Sequence, residues 1–438
     1  MDVRKFLPPP PTLPVEYQFD FHLNHNPDHP AFMHPRSDGT FKTYTYSDIV
    51  PAIHHCANYF LSQICASPGK TPIIAIVGTS DALTYSVALM GILRAGMTAF
   101  PISPRFSVEI IALLINAVKP SYMLVSSTKK QIIEDIKLCL SSDNRPVVLE
   151  IPTYEIIFHG EPRGILNKHD RSLDQPALII HSSGSTSLHP KTIKWSSKFY
   201  LNNAETKALI TQIDFAPIDF ERQIFGLQGL EPFHSFGLCC LSWMTRVGFT
   251  ISLLNPKDDA SLIPANHSTI YENLKRVSPS VAYIWSQDSE KRNFLKTLLV
   301  MTGGRVLSKA CAQKLIDSDV QLTIGYGSTE SGSITVFNSS ALNKKDWQYF
   351  RPFLRETKFI RRDDGFSSMI VVSTPTRELP LCNTTYQGLP GYDPGDLFLE
   401  HTTHIGHFSV VGRLSDQLIL SSGEVVNPEE LGKILPSS

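Results

Sequence analysis

Between residues 43 and 125 the chain alternates short apolar runs with longer stretches whose apolar residues recur at helical spacing. No other feature restricts the fold as much. "YSDIVPAIHHCANYFLSQI" places Ile49, Ile53, Cys56, Ala57 and Phe60 along one helical face. "PIIAIVG" is a short apolar run ending in glycine, the pattern of a strand buried on both faces. "TYSVALMGILRAGMTAFPISP" predicts a helix stopped at Gly96, then a strand closed by prolines. The unit repeats in "VEIIALLINAVKPSYMLVS", where Lys119 and Pro120 break the helix before a strand over 122–125. Such alternation predicts a parallel sheet covered by helices, an α/β fold.

Residues 143–175 carry less signal and are read as the connection to a second α/β series. That series runs through "ALII", "FYLNNAETKALITQ", "RQIFGLQG", "FGLCCLSWMTRVG", "FTISLL" and "IYENLKRVSPSVAYIW". After "VQLTIGYGSTESG" short strands take over. "RETKFIRRDDGFSSMIVVSTP" predicts two strands around a turn at Asp363 and Asp364, which are therefore assigned no chemistry. "GDLFLEH", "HFSVVGR" and "DQLIL" continue the pattern, so the last ~80 residues form a small β-rich subdomain by element spacing. A chain of 438 residues exceeds one compact core, and at least two subdomains are expected.

Composition matters here for what it excludes. A formal net charge of −1 with no long basic run argues against nucleic acid or an anionic membrane as the main partner. The seven cysteines (Cys56, Cys65, Cys139, Cys239, Cys240, Cys311, Cys382) form no CxxC pair and read as buried thiols of a reducing compartment. The start, "MDVRKFLPPPPTLP", lacks the apolar core of a signal peptide, and its prolines favour an extended arm. The most apolar stretch, residues 236–254, carries Arg246 near its middle. It is read as a buried helix and a strand rather than a membrane span. A cytoplasmic protein is expected.

The stretch "HSSGSTSLHPKTIKW", residues 181–195, raises the question of chemistry. Residues 177–180 are a strand candidate, and residues 192–195 alternate like another, so the loop joins two strands. Gly184 permits backbone angles that a β-carbon forbids. Successive amides with the hydroxyls of Ser182, Ser183, Ser185 and Thr186 can form an anion-binding nest, and Lys191 would add a charge-assisted contact to a phosphate. A serine-rich surface turn is the alternative for such a loop taken alone. A Walker-type phosphate loop is excluded, because Gly184 to Lys191 is one residue too long, Pro190 stands where glycine is needed, and a strand follows instead of a helix.

Taken together, several blocks resemble the adenylate-forming enzymes, which include acyl- and aryl-CoA ligases and the adenylation domains of nonribosomal peptide synthetases. The likeness is greatest to fungal synthetase-like carboxylate-activating proteins. The family's S-G-[ST]-T-G-x-P-K loop is met by "SGSTSLHPK", its glycine-strand motif by "VMTGGRVLS" and its Y-G-x-T-E by "YGSTESG". Its G-D motif is met by "GYDPGDLF" and its hinge by "GRLSDQLILSSGEVVNPEEL". "VALMGILRAGMTAFPISP" fits the helix–strand segment ahead of the loop. The blocks stand in the family's order over about residues 25–435.

The resemblance implies an α/β fold: a large N-terminal lobe of two stacked α/β subdomains plus a small β-barrel-like subdomain. Its expected limits are a proline-rich arm over 1–24, the lobe over 25–410 with the β-rich part from about 351, and a hinge remnant over 411–438. It further implies ATP and Mg²⁺ as cofactors and a carboxylic acid as substrate, the products being acyl-AMP and pyrophosphate. Ser182, Ser183, Gly184, Ser185 and Thr186, with Lys191, would hold the β- and γ-phosphates. Thr329 would donate to the α-phosphate and Glu330 would bind Mg²⁺, a hard cation that prefers carboxylate oxygen. Tyr326 would pack along adenine, with Gly303, Gly304, Gly327 and Ser328 beside the nucleotide. Asp396 would accept from the ribose hydroxyls and Arg413 would reach the same sugar. His234, in "EPFHSFGLCCLSW", stands where acyl- and aryl-activating relatives carry a histidine beside the carboxylate. Amino-acid-activating domains usually carry an aspartate in this block, so an aryl or aliphatic acid is expected, with CoA or a phosphopantetheine carrier as acyl acceptor. Phe233, Phe236 and Trp243 are weaker candidates for the pocket wall.

The pattern is also broken. Ser187 replaces a loop glycine and one extra residue precedes Pro190; Arg305 follows the paired glycines; Ser415 replaces the hinge aspartate. The sequence stops at Ser438, ahead of the family's C-terminal lid with its lysine, so a lobe without its lid is expected. Two readings stand side by side: an acid-activating enzyme of fungal secondary metabolism, or a nucleotide- or acyl-binding remnant or fragment of a multidomain synthetase.

Overall fold

The computed structural model describes residues 5–182 with short interruptions at 37, 39, 65–69, 79, 127–129, 161–163 and 170. Beyond these it describes 190–205, 221, 223–226, 232–254, 293, 295, 299–303, 307, 309–338, 346–414, 418–419 and 425–426. The chain divides into two compact units. One comprises residues 1–206 and 218–284, and the other residues 207–217 and 285–438.

In the first unit α1 (Val15–His25) precedes β1 (Pro30–Pro35), β2 (Phe41–Thr45) and α2 (Tyr46–Gln63). The alternating series then reads β3 (Ile73–Ile76), α3 (Ala82–Arg94), β4 (Thr98–Pro101), α4 (Val108–Val118), β5 (Tyr122–Val125), α5 (Lys130–Cys139), β6 (Val147–Glu150) and α6 (Tyr154–His159). The hairpin β7 (Pro176–His181) and β8 (Thr192–Ser196) leads to α7 (Ser197–Ala204), β9 (Ile224–Gly226), α8 (Ser235–Val247) and β10 (Thr250–Ser252). One sheet has the order β6-β5-β3-β4-β7-β8, parallel except for the antiparallel β7–β8 hairpin. A second has the order β2-β1-β10-β9.

Local chemistry explains the boundaries. Asp81 accepts from the Thr84 amide at the start of α3, and Ser107 from Ile110 at the start of α4. α4 ends at Lys119, whose left-handed backbone (φ 52°) precedes Pro120. Ala75, Phe100, Met123 and Ile179 from the large sheet form one core with Ile111, Leu114, Ile115 and Ile136 of α4 and α5. Burying each such side chain is worth about 1.5–3 kcal/mol. α2 meets α3 at Gly91, where an added β-carbon would stand 2.6 Å from the β-carbon of Cys56.

The N-terminus corrects one expectation. The extended arm ends at Pro14 and residues 15–25 are helical, because Val15, Tyr17, Phe19 and His22 give α1 a buried face. The preceding strap is also held in place. Phe6 lies against Gly248, Asn26 pairs with the backbone of Leu7, and the carbonyl of Pro9 accepts from Arg246. The stretch over 236–254 is, as expected, a helix followed by a strand. Among the described residues no helix is long and apolar enough to cross a membrane.

In the second unit β11 (Leu299–Gly303), α9 (Lys309–Asp317), β12 (Gln321–Ser328) and β13 (Gly332–Asn338) make a three-stranded sheet in which β11–β12 is parallel and β12–β13 antiparallel. The β-rich part follows: β14 (Thr357–Arg361), β15 (Ser367–Val372), β16 (Thr384–Tyr386), β17 (Leu389–Tyr392), β18 (Asp396–Glu400) and β19 (Phe408–Arg413). Its order is β16-β17-β15-β18-β19 with β14 on β15, followed by the short pair β20 (Leu418–Ile419) and β21 (Val425–Val426). Among the described residues this sheet is open, which corrects the expected barrel-like closure: no ladder joins β16 to β19. The turn at Asp363 and Asp364 is the β14–β15 hairpin, closed by Arg362 on Asp364 and by Gly365 at φ +87°. Its aromatic core stacks Phe359 on Phe408 and sets Phe398 edge-on to Phe359 and Tyr326.

Candidate functional site

In the first unit the β7–β8 hairpin stands at the carboxyl edge of the parallel strands, the edge where open α/β sheets bind ligands. Its root is closed reciprocally: the Ser182 amide donates to the Lys191 carbonyl (2.8 Å) and the Lys191 amide to the Ser182 hydroxyl (3.1 Å). Ser182 thereby fixes where the exposed Lys191 leaves the sheet. Ser183, Gly184, Ser185 and Thr186 lie outside the described residues, as does Ser187.

His181 anchors this root. The Ser103 amide, just past β4, donates to its Nε2 at 3.1 Å, so the neutral ring carries its proton on Nδ1. Burial pushes its pKa down to about 4, keeping the ring neutral at pH 7. His234 is the N-cap of α8, its Nδ1 accepting from the Phe236 amide (3.4 Å). Its side chain is exposed, yet the surrounding protein still lowers its pKa. Trp243 belongs to the core of the unit, with its indole N–H on the Asn203 carbonyl (2.7 Å). Phe236 meets it edge-on and Phe233 is buried.

The second unit gathers the remaining candidates. Tyr326, near the end of β12, donates its hydroxyl to Asp396 Oδ2 at 2.6 Å, and Arg413 Nε donates to Oδ1 at 3.2 Å. Register places Asp396, the first residue of β18, opposite Arg413 at the end of β19. Gly395 at φ +74° makes the turn that delivers it. Burial raises the pKa of Asp396, opposed by the Tyr326 hydrogen bond and the Arg413 charge. The tyrosine ring is stacked on Phe350 (5.5 Å between centroids, 19° between planes). Burial and the Asp396 charge hold its phenol far above the ordinary value.

Thr329 and Glu330 occupy the β12–β13 turn. The turn is tied by Ser328, whose hydroxyl meets Ser331 Oγ (2.9 Å) and accepts from the Ser331 amide (3.1 Å). The buried Arg377 donates to the Ser331 carbonyl (3.3 Å). Glu330 is half-buried, and burial together with the Glu330 charge raises the pKa of the Tyr392 phenol. Neither Tyr392 nor Arg377 was singled out by sequence reasoning. The four-residue step from Tyr392 to Asp396 repeats that from Tyr326 to Glu330, which is the signal that could have found the former. Gly327 and Gly303 have steric reasons to be glycine: added β-carbons would stand 2.5 Å from the Gly332 carbonyl and 3.0 Å from that of Gly325. Gly304 lies outside the described residues.

A half-buried carboxylate in a fixed turn suits a hard divalent cation completed by other oxygens. A second carboxylate, with one lone pair on each oxygen still open, suits a vicinal diol. Among the described residues no group of three or more metal-ligating side chains exists. Together these features are groups that a nucleotide with its cation could use.

The chain belongs to the AMP-binding enzyme family, whose model matches residues 19–352. It is 29% identical to the adenylate-forming reductase Nps10 of Heterobasidion annosum, over 98% of this chain and 41% of that protein. It is 24% identical to a carboxylic acid reductase of Neurospora crassa, over 90% and 38%. The chain thus spans about two fifths of these relatives. Among solved structures it resembles the anthranilate CoA ligase AuaEII in complex with anthranoyl-AMP (TM-score 0.73, 16% identity, covering 97% of this chain and 81% of that one). It likewise resembles the O-succinylbenzoate CoA synthetase of Bacillus subtilis with ATP and magnesium (TM-score 0.70, 16% identity, 97% and 84%). These likenesses establish the N-terminal lobe of the adenylate-forming fold.

Proposed function

We propose that this chain activates a carboxylic acid, aryl or aliphatic rather than α-amino, as an acyl-AMP at the expense of Mg-ATP. An oxygen of the substrate carboxylate attacks the α-phosphorus, the bond to the pyrophosphate oxygen breaks, and acyl-AMP and pyrophosphate result. Asp396 accepts from the ribose hydroxyls and Arg413 assists at the sugar. Tyr326 lies by adenine, with Gly303, Gly304, Gly327 and Ser328 near the nucleotide. Thr329 donates to the α-phosphate, while Lys191 and the hydroxyls of residues 182–186 meet the β- and γ-phosphates. Glu330 would hold Mg²⁺, whose charge offsets that of the phosphates. His234, neutral at pH 7, donates to the acid's carboxylate. Catalysis by such a site is positioning and electrostatics. The thiol of CoA or of a phosphopantetheine carrier then takes the acyl group as a thioester while the acyl–phosphate bond breaks and AMP leaves, in the cytoplasm.

The observation that carries this reading is the joint placement of Tyr326, Asp396 and Arg413 with the Glu330 turn inside one compact unit. The relatives named as adenylate-forming reductases support acid activation. Carboxylate-dependent exchange of labelled pyrophosphate into ATP, across a panel of benzoic, cinnamic and short aliphatic acids, is the test. Exchange with one or more acids is expected. Nucleotide binding by calorimetry without exchange would instead favour a binding remnant, the reading to which Ser187 in the loop and Ser415 at the hinge point.

A further inference from the structure

The hairpin that carries Ser182 and Lys191 joins the rest of its sheet through β4, and the backbone leaves that junction thin. Successive amides of β4 face opposite neighbours. Thr98 and Ile102 donate on the β3 side, to the carbonyls of Pro72 (2.9 Å) and Ile76 (3.0 Å), so residues 99, 101 and 103 face β7. Ala99 pairs with Leu178. Position 101 is proline and has no amide hydrogen with which to continue the ladder. The next amide on that side, Ser103, meets a side chain instead of a strand: it donates to Nε2 of His181 at 3.1 Å. The imidazole is buried, and Phe106 meets it edge-on (4.8 Å between centroids, 67° between planes). At the opposite end of β4 the Thr98 hydroxyl donates to the Pro176 carbonyl at 2.7 Å. Side chains therefore bridge β4 to β7 on both flanks of the Ala99–Leu178 pair. The residue after His181 is Ser182, whose reciprocal bonds to Lys191 close the hairpin root.

We propose that His181 is a positioning residue for Lys191, the lysine assigned above to the β- and γ-phosphates. Its imidazole makes the cross-strand link that Pro101 denies to the backbone, and so sets how far the hairpin root stands from β4. The inference rests on the proposed acid activation and adds to it what holds the phosphate-binding lysine in register with the sheet. Without the bond from Ser103, β7 is free to part from β4 past Leu178, and Lys191 moves with it. Displacements near 1 Å cost a reacting site about 100-fold.

The test is calorimetric titration with Mg-ATP and with AMP of the 438-residue chain, its His181→Phe, His181→Gln and Lys191→Ala variants, and the His181→Phe, Lys191→Ala double variant. His181→Phe keeps a ring against Phe106 and loses the acceptor, and His181→Gln restores an acceptor near the place of Nε2. His181→Phe should weaken Mg-ATP binding ~10-fold and leave AMP, which lacks the β- and γ-phosphates, within about twofold of wild type. His181→Gln should return Mg-ATP affinity to within about threefold of wild type. Because the effect runs through Lys191, His181→Phe should change Mg-ATP affinity less than about twofold once residue 191 is alanine. In pyrophosphate exchange the same variant should raise the KM for pyrophosphate and leave that for the acid unchanged. A packing role would lower the amount of folded protein and reduce kcat at unchanged KM, equally in both backgrounds. That result, or no effect, would overturn the inference and leave the functional reading standing. Nucleotide binding without exchange would overturn the functional reading alone, the calorimetric cycle still deciding the role of His181. Absence of any nucleotide binding by the wild-type chain would overturn both. Should His181→Phe fail to fold, a crystal structure of the wild-type chain with Mg-ATP decides. The Ser103 amide on Nε2 with Lys191 on the phosphates upholds the inference, and either one displaced overturns it.

Discussion

Glu330 shows how much a single residue can disclose in sequence. Its place in "YGSTE" after the strand run "LTIG" pointed to a magnesium ligand, and the structure sets it in a turn tied by Ser328 and Ser331. Its electrostatic link to Tyr392 was not legible, because that residue lies 62 positions away in the sequence. Gly327 shows the opposite. The motif offered it as a nucleotide contact, whereas the close approach of β13 already requires a glycine there. Glu330→Gln keeps the shape and removes the charge. It should weaken Mg-ATP binding at least ~10-fold while leaving AMP binding unchanged, as read by calorimetry, since charge–cation contacts dominate hard-ion sites. Unchanged Mg-ATP affinity would remove Glu330 from the metal site.

At the scale of elements, the hairpin root and the α2–α3 contact each carry a prediction. Ser182→Ala takes away the acceptor of the Lys191 amide, a loss of about 0.5–1.5 kcal/mol. Hydrogen exchange at Lys191 should accelerate about tenfold, the core strands being unaffected. Equal protection in both proteins would mean that Ser182 does not tie the loop. Gly91→Ala raises helix propensity but thrusts a methyl group against Cys56, and the space argument outweighs propensity. We expect a net loss of about 1–3 kcal/mol, seen as a lower midpoint in denaturant. A midpoint equal to or above wild type would show that the two helices separate at little cost. Elements with strong periodicity were legible throughout, α3, β4, α4 and β5 among them. α1 was not, because proline at four consecutive positions, 8–11, masked a helix whose apolar residues matter only once α8 lies beside it. β6 and α6, in the weak stretch over 143–175, are short elements: β6 takes its shape from the sheet edge it completes, and α6 packs against α2.

For the whole molecule, acid sensitivity follows from histidines buried in neutral form. His22 in α1 is fully buried, donating from Nε2 to the Thr245 carbonyl (2.7 Å) and accepting at Nδ1 from Asn26 (2.8 Å), and burial pushes its pKa down to about 3. His181 behaves likewise, at about 4. The unfolded chain takes up these protons near pH 6.5 and the folded chain does not until far lower. Between those values the unfolded state binds more protons, so stability is full above about pH 6.5 and declines as pH falls. Each histidine contributes up to ~1.4 kcal/mol per pH unit in its window, which for His22 runs from about 6.5 to 3 and for His181 from about 6.5 to 4. Glu16 and Asp81, whose pKa values burial raises, act in the contrary sense over part of the same range, so the total slope is not the diagnostic quantity. The difference between proteins is. Replacing His22→Gln retains hydrogen-bonding capacity without a titrating ring. The variant should be less stable at pH 7.5 yet lose less on acidification to pH 4.5, and its thermal midpoint should converge on that of the wild type. Parallel curves would mean that His22 already shares its proton between folded and unfolded chains, and that the strap, α1 and α8 are not sealed from water as their packing requires.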